Sequence, residues 1–334
     1  MKELRKYLLV GAGLLCLFVS CGKKAEGAKS DLSRSVVFCA DSAYSYIEKQ
    51  MSFGPRVPNS SAHMQCAVWL TEQLRAYGAE VEIQKGVLPD YRGHDQQIFN
   101  IIGHFSTPKI ADRPRLLLCA HYDTRPWCDE EPISADRYYN VPGANDGASG
   151  VGVLLEVARQ LKQKMADSTL RTPVDIIFLD MEDSGTPSFY TGIERSDTWC
   201  LGSQLWASHY INTQEQTGLS YQFGVLLDMI GDPNAVFLLE GYSTAFARDF
   251  QNEIWDNAQK LGYSSIFSRR KGNYILDDHY YINSVAGIPC VDIIHCDSRN
   301  HTGFPRWWHT RQDDMQNISP KTLQTVGEVV MSLL

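Results

Sequence analysis

Four short runs of continuous apolar residues, each ending in ionisable side chains, restrict this chain more than any other feature: RLLLCAHYD (115–123), VDIIFLDMED (174–183), FGVLLDMIGD (223–232) and IPCVDIIHCD (288–297). A strand with one wet face alternates apolar and polar residues, whereas an unbroken apolar run is covered on both faces. Segments at 149–164, 198–210 and 243–262, and a last one from Ser319 to Leu334, carry helical spacing between and after these runs. Doubly covered strands that alternate with helices build a largely parallel sheet between helical layers. The predicted fold is α/β: a single-domain three-layer sandwich, with a central mixed, mostly parallel sheet and helices on both faces. A chain of 334 residues, 43% hydrophobic, is long enough to bury such a core.

Upstream of the runs, VVFCADSAYSYIEKQMSFG predicts a helix stopping at Gly54, and a second helix, capped by Asn59 or Ser60, closes near Gly78. EVEIQKGVL and QIFNIIGHF read as strands from their alternation and β-branched content. At the N-terminus, Lys2, Arg5 and Lys6 precede an apolar core from Tyr7 to Val19. That core is short for a membrane span and reads as a secretory signal over 1–20. Ser20, Cys21 and Gly22 are similar to the lipobox of bacterial lipoproteins, which makes Cys21 the expected lipid attachment site; an ordinary signal peptide with an incidental cysteine is the alternative. Residues 21–34 are polar and small, a flexible tether, and 35–334 form the expected catalytic domain. The expected location is the cell envelope, lipid-anchored and facing the periplasm, with the membrane as a partner through the anchor.

A net charge of -8 argues against nucleic acid and favours a small or peptide-like partner. Beyond Cys16 and Cys21 the cysteines are odd in number and lack CxxC spacing, so at least one thiol stays unpaired in a monomer and a cysteine zinc site is unsupported.

In open α/β sheets ligands bind beyond the carboxyl ends of the strands. The four runs end in His121 and Asp123, in Glu182 and Asp183, in Asp228, and in His295 and Asp297. VPGANDGASG adds Asp146 in a tight loop feeding a helix, and PRWWHTRQDD adds His309. Adjacent residues leaving a strand point in opposite directions, so one acid of the Glu182–Asp183 pair can bind a metal while the other stays free as a base. An Asp, Asp, His set suits zinc with a fourth position open for substrate. Singly these residues have ordinary explanations: a turn, a solvated acidic loop, core aromatics at Trp307 and Trp308. Their order and their common placement at one end of a sheet carry the metal-site reading. Asp123, on the same strand face as His121, is expected to hydrogen-bond its imidazole and fix the tautomer.

The series HYDTR, NDGASG, FLDMED, LLDMIGD and WWHT resembles the zinc aminopeptidase and glutaminyl cyclase superfamily. FGPRVPNS, LLDMIGDPN, DDHYYI and FPRWWHT narrow the resemblance to glutaminyl-peptide cyclotransferases, in particular bacterial lipoprotein forms, from about Ser35 to the end. The resemblance implies one Zn2+ per chain held by Asp146, Asp183 and His309. It makes Glu182 the general base and acid, and Asp228 with Asp277 a hydrogen-bonded acidic pair supported by Asp278 or His279. Phe304 and Trp308 would wall the pocket, with Trp199 beside them. One departure is Asp183, where the family often has Glu. The implied reaction is an acyl transfer that cyclises N-terminal glutamine of peptides and proteins to pyroglutamate and releases ammonia. An aminopeptidase is the alternative, with His121 and Asp228 holding a second metal bridged by Asp146. A non-enzymatic binding module is a third possibility, although such a protein would be free to lose Glu182 or a ligand, and all are present.

Overall fold

The computed structural model describes residues 36–193 and 195–334. The signal, the tether and Cys21 lie outside the described residues.

The strands are β1 (Glu80–Pro89), β2 (Asp95–Phe105), β3 (Arg115–His121), β4 (Val174–Leu179), β5 (Tyr221–Asp228), β6 (Phe237–Leu239), β7 (Phe267–Lys271) and β8 (Cys290–Ile294). The helices are α1 (Ala40–Met51), α2 (Ser61–Ala76), α3 (Ala148–Ala166), α4 (Leu201–Thr217), α5 (Gly241–Phe246), α6 (Arg248–Lys260), α7 (Asp278–Ser284) and α8 (Pro320–Met331). Six strands form one sheet in the order β1-β2-β4-β3-β5-β8. The pairs β4/β3, β3/β5 and β5/β8 are parallel, while β1/β2 and β2/β4 are antiparallel. The sheet is mixed and mostly parallel through its centre, as the apolar runs require.

Strand periodicity divides the core in two. From β3, Leu116, Leu118 and Ala120 join α1, α2, α3 and α8 in the larger apolar layer. Leu117 and Cys119 point the other way, onto Trp206, Ala207 and Tyr210 of α4 and Ile282 of α7. Consecutive residues of a strand face opposite sides, so an unbroken run supplies both layers at once. Burial of this apolar surface is the main favourable term, at roughly 25 cal/mol per Å².

Where sequence and structure differ, local capping explains the difference. The helix expected over 243–262 is two helices broken at Ala247 (φ -134, ψ 33). The carboxylate of Glu240 accepts from the N–H groups of Tyr242 and Ser243 and so starts the short α5 in its own direction. The helix expected over 198–210 begins at Leu201 and continues to Thr217, because Cys200 is left-handed (φ 56) and ties back to the β4 loop. The small parallel pair β6/β7 carries no sequence signal that sets it apart from loop.

Candidate active site

β3 lies between β4 and β5, so the chain leaves this neighbourhood in opposite directions and opens a crevice at the carboxyl ends of the strands. Asp146 arrives on the loop before α3, Glu182 and Asp183 follow β4, and Asp228 ends β5. Asp277 caps α7, while Phe304, Trp308 and His309 follow β8. These residues and Trp199 line one cavity of about 350 Å³. The ionisable end of the fourth run does not join them. His295 and Asp297 line a separate depression with Arg299 and Arg306, where burial pushes the His295 imidazole down to about 4.

The Asp146 loop is wedged between strands. A Cβ at Gly147 would lie 2.4 Å from the carbonyl oxygen of His121, and one at Gly150 would lie 2.2 Å from that of Leu227. Only glycine permits these approaches, which is the physical content of NDGASG. The Asp313 carboxylate accepts from the N–H groups of Asn145 (2.7 Å) and Asp146 (3.1 Å), and Asn145 Oδ1 accepts from Gly231 N–H at 2.7 Å.

Asp146, Asp183 and His309 are buried and offer ligand atoms within 4.8 Å of one another. His309 Nε2 stands 3.1 Å from Asp183 Oδ1 and 3.7 Å from Asp146 Oδ2. On the far side of the ring, Nδ1 lies 3.3 Å from Asp129 Oδ1. Asp129 is gripped by Arg125 through bonds of 2.9 and 2.6 Å, and Arg125 also donates to the Asp183 carbonyl at 3.1 Å. A carboxylate behind an imidazole fixes its orientation and presents the other nitrogen forward. Burial opposes the His309 imidazolium, but the charge of Asp183 together with the hydrogen bonds to Asp129 and Asp183 raises the group to about 9. Asp183 Oδ2 is buried without a hydrogen-bond partner. Two carboxylates, a forward imidazole nitrogen and an orphaned buried oxygen suit a divalent cation of zinc's borderline character. The shorter arm of Asp183 therefore reaches the cluster.

A second group shares Asp146. His121 Nε2 lies 3.0 Å from Asp146 Oδ1 and 3.2 Å from Asp228 Oδ1. Burial works against the His121 imidazolium, yet Asp123, Asp146 and Asp228 together raise it well above 6.5. Asp123 departs from expectation. Its Oδ1 is 3.4 Å from His121 Nδ1 without forming a hydrogen bond there, and its carboxylate instead accepts from the N–H groups of Glu182 and Asp183, each at 3.2 Å. Asp123 thus shapes the β4 loop more than the imidazole.

Glu182 is half-buried in the cavity wall, and burial followed by the charge of Asp277 pushes it well above the usual carboxylate range. Burial and Asp228 raise Asp277 to about 7; burial and Asp146 raise Asp228 to about 6. Like charges this close cannot all ionise, so these acids share protons near neutrality. Trp308 stacks on His309 with ring centroids 3.6 Å apart, and Phe304 sits 4.7 Å from Trp308. Trp199 lies under Arg125, whose guanidinium carbon is 4.5 Å from a ring centroid.

Three contributors were not singled out from sequence. Arg125 stands in HYDTR, two residues after Asp123, and Asp313 follows His309 by four, so a local signal existed for each. Asp129, within CDEEP, had none. The described cysteines are all free thiols.

The family model of peptidase family M28 matches residues 100–334. The crystal structure of Bacteroides thetaiotaomicron glutaminyl cyclase bound to N-acetylhistamine is 45% identical, covers 89% of this chain and 98% of its own, and superposes with a TM-score of 0.82. A Zn-dependent exopeptidase from Parabacteroides distasonis is 42% identical over 89% of this chain and 97% of its own, also with a TM-score of 0.82. Aminopeptidase YwaD of Bacillus subtilis is 29% identical over 97% of this chain, which spans only 61% of that relative. With the family model covering most of the catalytic segment, the chain belongs to peptidase family M28, alongside the bacterial glutaminyl cyclases.

Proposed function

We propose that this protein is a zinc-dependent glutaminyl-peptide cyclotransferase acting on N-terminal glutamine of peptides and proteins. The observation that carries the reading is a single cavity in which Glu182 faces the acids Asp228 and Asp277, with Trp308 stacked on His309 as an aromatic wall. An aromatic wall beside these acids suits a short amide side chain folded back onto its own amine. The 45% identity to a glutaminyl cyclase supports the same reading.

Asp146, Asp183 and His309 would hold the zinc, which would polarise the side-chain amide carbonyl of the substrate as a Lewis acid. Phe304 and Trp308 hold the glutamine side chain folded, so that nucleophile and electrophile, both in one residue, start close together. Glu182 takes a proton from the α-amine as its nitrogen bonds to the amide carbon, then delivers a proton to the departing amide nitrogen. The carbon–nitrogen bond of the amide breaks, ammonia leaves and the lactam remains, with no water consumed. Asp228 and Asp277, sharing a proton, accept from the leaving –NH2 group.

The aminopeptidase reading keeps one specific support: His121 and Asp228 form a second candidate metal group with Asp146. Incubation with a glutamine-initiated peptide decides between them. Stoichiometric ammonia with a blocked product N-terminus is expected, with one zinc per active chain; free glutamine and two tightly bound zincs would establish the peptidase. We further propose that Cys21 carries the lipid and that the chain faces the periplasm.

A further inference from the structure

We propose that Cys200 is a positioning residue for Glu182: its thiol donates a hydrogen bond that holds the carboxylate in the conformation needed for proton transfer. The proposal rests on Glu182 being the proton carrier. Cys200 Sγ lies 3.3 Å from Glu182 Oε1. Among the described residues this is the hydrogen bond that the Glu182 side chain makes, so little else restrains a group with three rotatable bonds beside three other acids. Cys200 is fully buried, unlike a thiol available for exchange or oxidation.

The backbone is arranged around the same contact. Cys200 N–H donates to the Glu182 carbonyl at 2.8 Å, and Leu201 N–H donates to the Met181 carbonyl at 3.0 Å. The first residues of α4 are therefore fastened to the loop that carries the acid. Cys200 takes a left-handed φ of 56 to make this junction, an uncommon conformation for a residue with a side chain. Glycine would relieve the backbone there, so a thiol retained at that cost points to use of the sulfur. Other buried cysteines, such as Cys119 and Cys290, lie on strands among apolar neighbours and need no such explanation.

The hydrogen bond also gives direction. One atom from each of Glu182, Cys200 and Asp277 falls within 4.8 Å of the other two, so the thiol stands where the two acids meet. With Oε1 engaged by the thiol, Oε2 is left for the substrate amine.

Cys200→Ser keeps a donor, whereas Cys200→Ala and Cys200→Gly remove it, the glycine variant guarding against misfolding because it suits the left-handed backbone. With the full chain and a glutamine-initiated peptide, the expected result is a roughly tenfold fall in kcat for the alanine and glycine variants, KM within twofold, and kcat largely restored by serine. Equal kcat in all four proteins would overturn the proposal, as would serine failing alongside alanine and glycine. If the parent releases free amino acid rather than ammonia, the cyclase reading fails on its own and the same series is scored on hydrolysis, where Glu182 would also be the base. A parent with neither activity overturns both.

Discussion

At the scale of single residues, the chemistry depends on what stands behind each reacting group. His309 points its Nε2 at Asp183 because Asp129 and Arg125 hold the opposite edge of the ring. Asp129→Asn keeps the shape but gives up the charge and lets the amide turn either way. Loss of such a supporting carboxylate typically costs 10–100-fold in metal affinity, so the variant should bind zinc about 10–100-fold more weakly in a chelator competition assay. An unchanged dissociation constant would show that Asp129 does not orient the ligand. Residues of this kind are the least legible from sequence. Asp146 sits in a short motif whose neighbours are forced by the backbone, as Gly147 and Gly150 show. Asp129 meets His309 across 180 positions of chain, and nothing local to CDEEP marks it.

At the scale of elements, Glu240 decides how the segment from β6 to α7 is assembled. One carboxylate oxygen accepts from Tyr242 N–H (2.9 Å) and Ile275 N–H (3.0 Å), the other from Ser243 N–H (2.6 Å) and its hydroxyl (2.7 Å), with His279 Nε2 at 3.0 Å. A single acid thus caps α5 and pins the strand of chain that carries Asp277 into the cavity. Burial opposes its charge, but His279 and the backbone donors lower Glu240 from 4.5 to about 2. A depressed carboxylate stabilises the fold above its ordinary value and loses that contribution as pH falls from about 4.5 toward 2. Glu240→Gln should therefore cost about 3 kcal/mol at neutral pH and flatten the loss of stability across that acid window, measured by urea unfolding at several pH values. The unbroken helix read over 243–262 missed this hub. Helical spacing does continue through Ala247, and only the buried cap, one of whose donors lies 35 residues further along the chain, shows why the axis turns.

For the whole molecule, the sheet and its crevice were readable because they follow from covering four apolar runs on both faces, and the cavity residues because they end or follow those runs. The antiparallel attachment of β2 to β4 and the pair β6/β7 were not, since pairing partners are chosen by tertiary packing rather than by composition. No helix among the described residues is long and apolar enough to cross a membrane, and the proposed lipid on Cys21 has its own test. Full-length protein expressed in a bacterial host that processes lipoproteins should partition with membranes and label with radioactive palmitate, and Cys21→Ser should do neither. Absence of the label from the parent chain would refute the anchor.

Asp146 extends one oxygen toward His121 and the other toward His309, 3.0 and 3.7 Å away. A carboxylate shared in this way behaves like a balance beam. A cation held on the His309 side would withdraw electron density from the oxygen that faces His121, and loss of a proton from His121 would return density toward the cation side. Filling one half of the crevice would therefore be felt in the other through a single carboxylate.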